Sequence, residues 1–528
     1  MSNPDTPGPN KAGPTAPNSD ASQAAKTLGK SDLHARSLDK DLKKIGRLEA
    51  ATLEAGRGIA GLGLGLLFLI AVLIFTALQS GSADRSLFLI IAGVLGGYMA
   101  LNIGANDVAN NVGPAVGSRA LTLVGALAIA AVFEAAGAII AGGDVIATIS
   151  KGIIDPSGIA DADTFMWAMA AALLAAALWL NLATYVGAPV STTHAIVGGV
   201  LGAGVAAIGV EAVNWPTMSK IAASWVISPF LGGLVAAAFF AFVKANILDR
   251  DDRIAAARRW IPILVSVMAT AFSVYLVMKG LKRVWKPDPV TLVAIGGIAF
   301  AATYVLVRPM VIRASKNLEN RRKAVSGLFT VPLVCSAALL SFAHGSNDVA
   351  NAVGPLAAIV GVASSGEIAA KVEIPLWVMV IGAAGISLGL ILFGPKLIRT
   401  VGEKITRLDR ARAFCVALSA ALTVIAASAL GLPVSSTHIA VGAVFGVGFY
   451  REISANRRGS TDRAPLSSGA ERELSQAKLE RKLKKRRRRQ LVRRSHLLTI
   501  VGAWLITVPC AAFLAGALFA GISAIAQP

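Results

Sequence analysis

Two short stretches place carboxylates and carboxamides where the chain is otherwise apolar. Gly104-Ala-Asn-Asp-Val-Ala-Asn-Asn-Val-Gly-Pro114 recurs as Gly345-Ser-Asn-Asp-Val-Ala-Asn-Ala-Val-Gly-Pro355, 241 residues later. The residues that could do chemistry are Asn106, Asp107 and Asn110 in the first copy and Asn347, Asp348 and Asn351 in the second. Asp107 and Asn110 are three apart and so share a helical face, as do Asp348 and Asn351. Carboxylate and amide oxygens are what hard cations coordinate. The flanking Gly and Pro predict that the helix breaks in each copy and frees further carbonyls. Asn111 reads as a helix cross-link, because its counterpart is Ala352.

A second pair carries donors. Pro189-Val-Ser-Thr-Thr-His194 recurs as Pro433-Val-Ser-Ser-Thr-His438, 244 residues later. Each reads as a helix start: a Pro, then hydroxyls, then an apolar run rich in glycine. Unpaired N–H groups at a helix N-terminus, together with Ser191, Thr192 and Thr193 or Ser435, Ser436 and Thr437, suit a tetrahedral oxyanion. His194 and His438 are further candidates, or plain helix-contact residues. His344 is single, since Leu101–Gly104 offers no matching His.

Such residues need elements to hold them. Apolar segments fall at about 58–78, 87–113, 121–142, 164–186, 190–210, 220–243, 260–279, 290–307, 325–353, 375–394, 413–431, 434–449 and 497–523. Most are near the roughly 20 residues that cross a bilayer core. The fold class is therefore an all-α polytopic membrane protein of 12 to 13 transmembrane helices. The segments at 190–210 and 434–449 follow a Pro directly and read as re-entrant. An Asp at membrane depth costs at least ~2.5 kcal/mol, so a repeat that preserves Asn, Asp, Ser, Thr and His argues for function over scaffold. The two motifs lie seven spans apart in this count, and an odd separation inserts the halves with opposite topology, the pattern of an alternating-access transporter. The weaker pair Ser224-Trp-Val-Ile-Ser-Pro229 and Ala503-Trp-Leu-Ile-Thr-Val-Pro509 extends the repeat.

The organisation expected is a tail at 1–57, an extra helix at 58–78, repeat one at 87–243, connecting helices and basic loops at 244–324, and repeat two at 325–523. Of the 528 residues 55% are hydrophobic and 15% charged, yet the net charge is +21. The segment 451–494 holds 16 Lys/Arg against five Asp/Glu and so carries eleven of that surplus. Basic residues in Lys244–Arg259, Arg308–Lys323 and Lys396–Arg412 place those loops, and the N-terminus, in the cytoplasm of a plasma (inner) membrane protein. Lys279, Lys282, Arg283 and Lys286 disagree by falling outside. The run at 484–489 reads as a contact with anionic lipid, with no nucleic-acid partner. No cleavable signal peptide is evident. An enzyme is not expected: no P-loop, nucleophile elbow or metal-ligand cluster is present. Cys335, Cys415 and Cys510 fall in apolar spans and read as packing residues.

Charge suggests mechanism. Asp107, Asp348 and Glu134, the last in the third span, are intramembrane carboxylates with no Lys or Arg inside the motifs. An anion entering beside them is repelled strongly at low dielectric. Cations must enter too, as Na⁺ held by Asp107 and Asp348 or as protons on the carboxyls. The expectation is cation-coupled symport of an anion, with no cofactor beyond the coupling Na⁺ or H⁺.

Gly104–Ser118, Pro189–His194, Gly345–Pro355 and Pro433–His438 resemble the duplicated signature of the PiT family of inorganic phosphate transporters, over about 87 to 523. The resemblance implies uptake of inorganic phosphate with Na⁺ or H⁺, in some bacterial members as a metal–phosphate complex, on an inverted-repeat fold. It also implies that Asp107 and Asp348 are essential, that Glu134 is a further functional carboxylate and that the Ser/Thr stretches contact phosphate. A homodimer is compatible with it. Sulfate or another oxyanion is the alternative substrate, and a receptor or tether acting through the basic loop is the alternative class. The chain departs from the signature at Ser346, at Ser436 and at Ala417, where relatives often carry Glu, which leaves coupling ion and stoichiometry open.

Overall fold

The structure, a computed structural model, describes residues 58–81, 85–155, 161–186, 190–280, 285, 287–366, 374–400, 408–461 and 494–526. The tail at 1–57, Pro189, Lys282, Arg283, Lys286 and residues 462–493 of the basic segment 451–494, including the whole run at 484–489, lie outside them. Contacts divide the chain into Met1–Leu64, described only from Gly58, where the first helix begins, and Gly65–Pro528, which holds every other element discussed below.

Helices account for almost all of it. In chain order they are α1 (Gly58–Ser80), α2 (Ser86–Gly117), α3 (Leu123–Ala141), α4 (Gly143–Lys151), α5 (Ala162–Val186), α6 (Thr192–Ile208), α7 (Trp215–Val243) and α8 (Arg253–Gly280). There follow α9 (Pro289–Ala314), α10 (Arg322–Gly327), α11 (Thr330–Asp348), α12 (Ala350–Ser365), α13 (Leu376–Thr400), α14 (Arg410–Ala429), α15 (Ser436–Thr461) and α16 (Arg494–Ala526). Local signals explain many of the starts. Asn214 accepts from Thr217 N ahead of α7, Asp409 from Arg412 N ahead of α14, and Asp288 from Val290 N ahead of the Pro that begins α9. The only pairing of strand type among the described residues is the single bridge Ile154–Val213.

Eleven helices among the described residues are long and apolar enough to cross a membrane, fewer than the 12 to 13 expected. The two expected spans that fall short are those beginning at the hydroxyl motifs. α6 has only 17 residues, and the later part of α15 carries Arg451, Glu452, Arg457 and Arg458. The exterior is apolar, as lipid contact requires: Phe230, Phe513 and Val293 are about three-quarters exposed or more. The polar side chains of the repeated motifs are instead drawn inward.

The expected break in the first motif is absent. α2 runs unbroken through Gly104–Pro114, and Pro114 is accommodated within the last turns, near the C-cap at Ser118. Its Asn and Asp side chains find partners on other helices, so they do not compete for the helix backbone. The second motif is interrupted only at Val349, between α11 and α12, where Val349 N still reaches Gly345 O at 3.3 Å.

The two motif glycines serve a different purpose. A Cβ on Gly104 would sit 2.0 Å from Ile386 O of α13, and one on Gly345 would sit 2.1 Å from Glu134 O of α3. Each motif helix thus touches the backbone of a helix from the other half, α2 on α13 and α11 on α3. The exchange recurs in the hydroxyl-motif helices, with α6 packed on α16 and α15 on α7. α5 with α6 and α14 with α15 form hairpins that bring the hydroxyls inward.

Candidate functional site

Both motif pairs meet in the interior. Asp107 and Asp348 are wholly buried. Ser191 caps α6 by accepting from His194 N, and Ser435 accepts from His438 N ahead of α15. With those serines occupied as caps, the next residues turn toward the carboxylates. Thr192 Oγ1 donates to Asp107 Oδ2 at 2.8 Å, and Ser436 Oγ donates to Asp348 Oδ2 at 3.0 Å. The substitution of Ser for Thr at 436 therefore keeps the hydroxyl that matters.

The amides cross between halves. Asn110 Nδ2 donates to Thr437 Oγ1 at 2.8 Å, and Thr437 Oγ1 donates onward to Asp107 Oδ1 at 3.0 Å. In the matching place, Asn351 Nδ2 donates to Thr192 Oγ1 and Thr193 Oγ1, each at 3.2 Å. Thr193 Oγ1 turns to Val434 O instead of to Asp348. Asn106 and Asn347 secure the hairpin turns. Asn347 Nδ2 donates to Ser428 Oγ and Leu432 O, while Val434 N donates to Asn347 Oδ1. Asn106 meets Thr184 Oγ1 at 3.2 Å, with the amide orientation that accepts from this hydroxyl also donating to Val190 O and Asp107 Oδ1. Thr184 and Ser428 lie outside both repeated motifs, yet 244 residues separate them, the same offset as the hydroxyl motifs.

His344 is the centre of the arrangement. Its Nε2 lies 3.0 Å from Asp348 Oδ2 and 3.8 Å from Asp107 Oδ2, and its Nδ1 lies 3.2 Å from Glu134 Oε2. These are ion-pair distances without hydrogen-bond alignment at either ring nitrogen. Asp107, His344 and Asp348 can each turn one ligand atom to within 4.8 Å of the others, a spacing able to hold a metal ion. Asn111, expected as a mere cross-link between helices, does join α2 to α3, and the bond it makes is to Glu134 Oε1 at 2.7 Å. The i, i+4 spacing of His344 and Asp348 was the available sign that both face one way.

Charge here is strongly unbalanced. Three buried carboxylates face one imidazole, and no Lys or Arg pairs with any of them among the described residues. Several acceptors are spare: Asp348 Oδ1, Asn351 Oδ1 and Asn111 Oδ1 have no hydrogen-bond partner. Buried acceptors left so cost about 1–3 kcal/mol each, which is consistent with a ligand completing them.

The other two candidate histidines stand apart from this cluster. The rings of His194 and His438 meet edge-on with centroids 4.5 Å apart, and neither reaches a carboxylate. Each leans on a tryptophan of its own half, His194 on Trp225 at 3.9 Å and His438 on Trp504 at 3.5 Å. Those tryptophans are the ones in the weaker third repeat.

The family model described as phosphate transporter family matches residues 103–515. A protein of Helicobacter pylori strain J99 assigned as a phosphate permease is 46% identical over 525 residues, 91% of this chain and 98% of that protein. One of Pyrococcus abyssi, likewise assigned, is 40% identical over 70% of this chain and 91% of its own length. Among solved structures, one titled the sodium-dependent phosphate transporter superposes with a TM-score of 0.73 at 37% identity, covering 83% of this chain and 99% of that one.

Proposed function

Because the chain belongs to the phosphate transporter family, we propose that it carries inorganic phosphate across the membrane together with a cation, by alternating access between two inverted repeats. The observation that carries this reading is the buried Asp107–His344–Asp348 group set between two hydroxyl-bearing helix N-termini, one from each half. Phosphate binds where Thr192, Thr193, Ser436 and Thr437 converge; the amides of Asn110 and Asn351 donate to it, and the hydroxyl protons now given to Asp107, Asp348 and Val434 O turn to it once the cation occupies the carboxylates. The helix starts at Ser191 and Ser435 direct their positive ends at the same place, and Asn106 and Asn347 hold the turns that aim them.

The coupling cation balances the carboxylates. Without it, Asp107, Asp348 and Glu134 repel an incoming anion at low dielectric. Na⁺ is the first candidate, since oxygen ligands from Asp107 and Asp348 suit it and the similar solved structure is titled as sodium-dependent. A proton is the second, because His344 lies between both aspartates and Glu134.

Phosphate fits better than sulfate on one particular ground. The site contains spare acceptors at Asp348 Oδ1 and Asn351 Oδ1. Phosphate near neutral pH has a hydroxyl to donate to them and sulfate has none. The N-terminus and the basic run face the cytoplasm in this reading. The test is radiolabelled phosphate uptake by proteoliposomes under separately imposed Na⁺ and pH gradients, with sulfate as competitor. Uptake driven by one gradient and unaffected by tenfold excess sulfate is expected; uptake indifferent to both gradients contradicts coupling.

A further inference from the structure

Helix α8 lies between the two repeats of the sequence and belongs to neither, yet one of its faces reaches the second-half site twice. Tyr275 and Lys279 are four residues apart and so share that face. Tyr275 is 3% exposed, and its hydroxyl lies 3.2 Å from Ser346 Oγ. Ser346 Oγ already donates its one proton to Ala343 O at 2.8 Å, so Tyr275 must be the donor. The bond therefore secures the turn of α11 that carries His344, Asn347 and Asp348, immediately before the interruption at Val349.

One turn further on, Lys279 Nζ donates to Ala429 O at 2.8 Å and pairs with Asp144 of α4. Ala429 ends α14, where a lysine satisfies an orphan carbonyl and opposes the negative end of the helix. α4 grips the next residues as well, since Thr148 Oγ1 donates to Gly431 O at 2.7 Å. This turn, Ser428 to Val434, supplies all three partners of Asn347. It also explains why Lys279 offended the charge rule: it is an internal tie, with its side chain only 12% exposed.

We propose that Tyr275 and Lys279 are positioning residues, which together fix Asn347 against the Ser428–Val434 turn and so set the geometry of the second-half phosphate contacts. Tyr275 holds the helix side of that contact and Lys279 the turn side. Neither touches phosphate. The assignment rests on the phosphate reading above for the role of Asn347, but the placement of the turn can be tested without it.

The test compares Tyr275→Phe, Ser346→Ala and Lys279→Met in the full chain reconstituted in nanodiscs and proteoliposomes. Tyr275→Phe keeps the ring edge against Phe342, so the variant loses one hydroxyl and no packing. Amide exchange over Ser428–Val434 is expected to quicken about tenfold in Tyr275→Phe and Lys279→Met while the first-half turn near Ser191 is unchanged. The phosphate concentration for half-maximal uptake should rise roughly threefold to tenfold, the effect of one lost hydrogen bond, with the maximal rate changed less than twofold. Ser346→Ala should match Tyr275→Phe, and combining the two should add nothing. Equal loosening of both turns, unchanged exchange, or a fall in maximal rate at constant half-saturation would each overturn the proposal. Should the wild-type protein take up no phosphate, the transport reading fails and the exchange comparison alone decides the role of α8.

Discussion

The two halves of the molecule share three bonds of their frames and place different residues in the space between them. Thr192 on Asp107 matches Ser436 on Asp348, Asn110 on Thr437 matches Asn351 on Thr193, and Asn106 with Thr184 matches Asn347 with Ser428. His344 and Glu134 have no such twins. Opposite Gly345 stands the backbone of Glu134, while opposite Gly104 stands that of Ile386. The unmatched carboxylate of the first half and the unmatched imidazole of the second come within 3.2 Å of each other. In the reading proposed above, the repeated bonds frame the phosphate site, and the two unmatched residues form the charged centre assigned to the cation.

If that division is right, substitutions should sort by it. The largest effect is expected from Asp107→Asn and Asp348→Asn, which belong to both the frame and the centre. Each carboxylate accepts at least one hydroxyl and lies near His344, and charged bonds of about 1.5–3 kcal/mol each predict a loss of roughly a hundredfold in uptake with normal membrane insertion. Near-normal uptake in both variants would remove them from the site.

Next come the unmatched residues. Glu134→Gln and His344→Gln should cost about tenfold in uptake and, unlike frame variants, should alter the dependence on Na⁺ or pH more than the dependence on phosphate. A change confined to phosphate affinity would break the assignment of these two to the cation. Smaller still are the crossing amides. Asn110→Ala and Asn351→Ala should each raise the phosphate requirement by a few-fold at unchanged cation dependence, with Asn351→Ala the stronger because it donates to two hydroxyls. The smallest effect is expected from His438→Phe, which keeps a ring against Trp504 and His194 and should leave uptake within about twofold. A larger loss there would mean that the pair of rings takes part in transport.

Much of this was legible in the chain itself. Motifs whose expensive polar residues repeat at constant offsets point to a shared interior site, and Ser after Pro-Val marks a helix start that formed in both halves. The unbroken course of α2 was not legible, because helix propensity weighs local cost and the compensating partners, Thr184, Thr192 and Thr437, are 78 to 330 residues away. α4 was hidden between the apolar segments at 121–142 and 164–186, since nine residues are too few for a span, and its anchoring contact with Gly431 is likewise long-range. The central place of His344 was obscured by its very lack of a repeat partner: a search for what recurs passes over what does not. Thr184 and Ser428 were missed for a simpler reason: each stands five residues ahead of its Pro-Val-Ser motif, and a Thr in one half against a Ser in the other makes no identical repeat.

The central claim is that a cation between Asp107 and Asp348 is what allows phosphate to enter. Equilibrium binding of phosphate to the purified protein, titrated calorimetrically over a range of Na⁺ concentrations at several fixed pH values, tests it without depending on transport. Linkage requires that a cation which helps phosphate bind be helped by phosphate in turn, to the same factor. Phosphate affinity should climb with Na⁺, or with proton concentration if His344 carries the charge, and should lose this dependence in Asp348→Asn. Phosphate binding of equal strength at every Na⁺ concentration and every pH would contradict it.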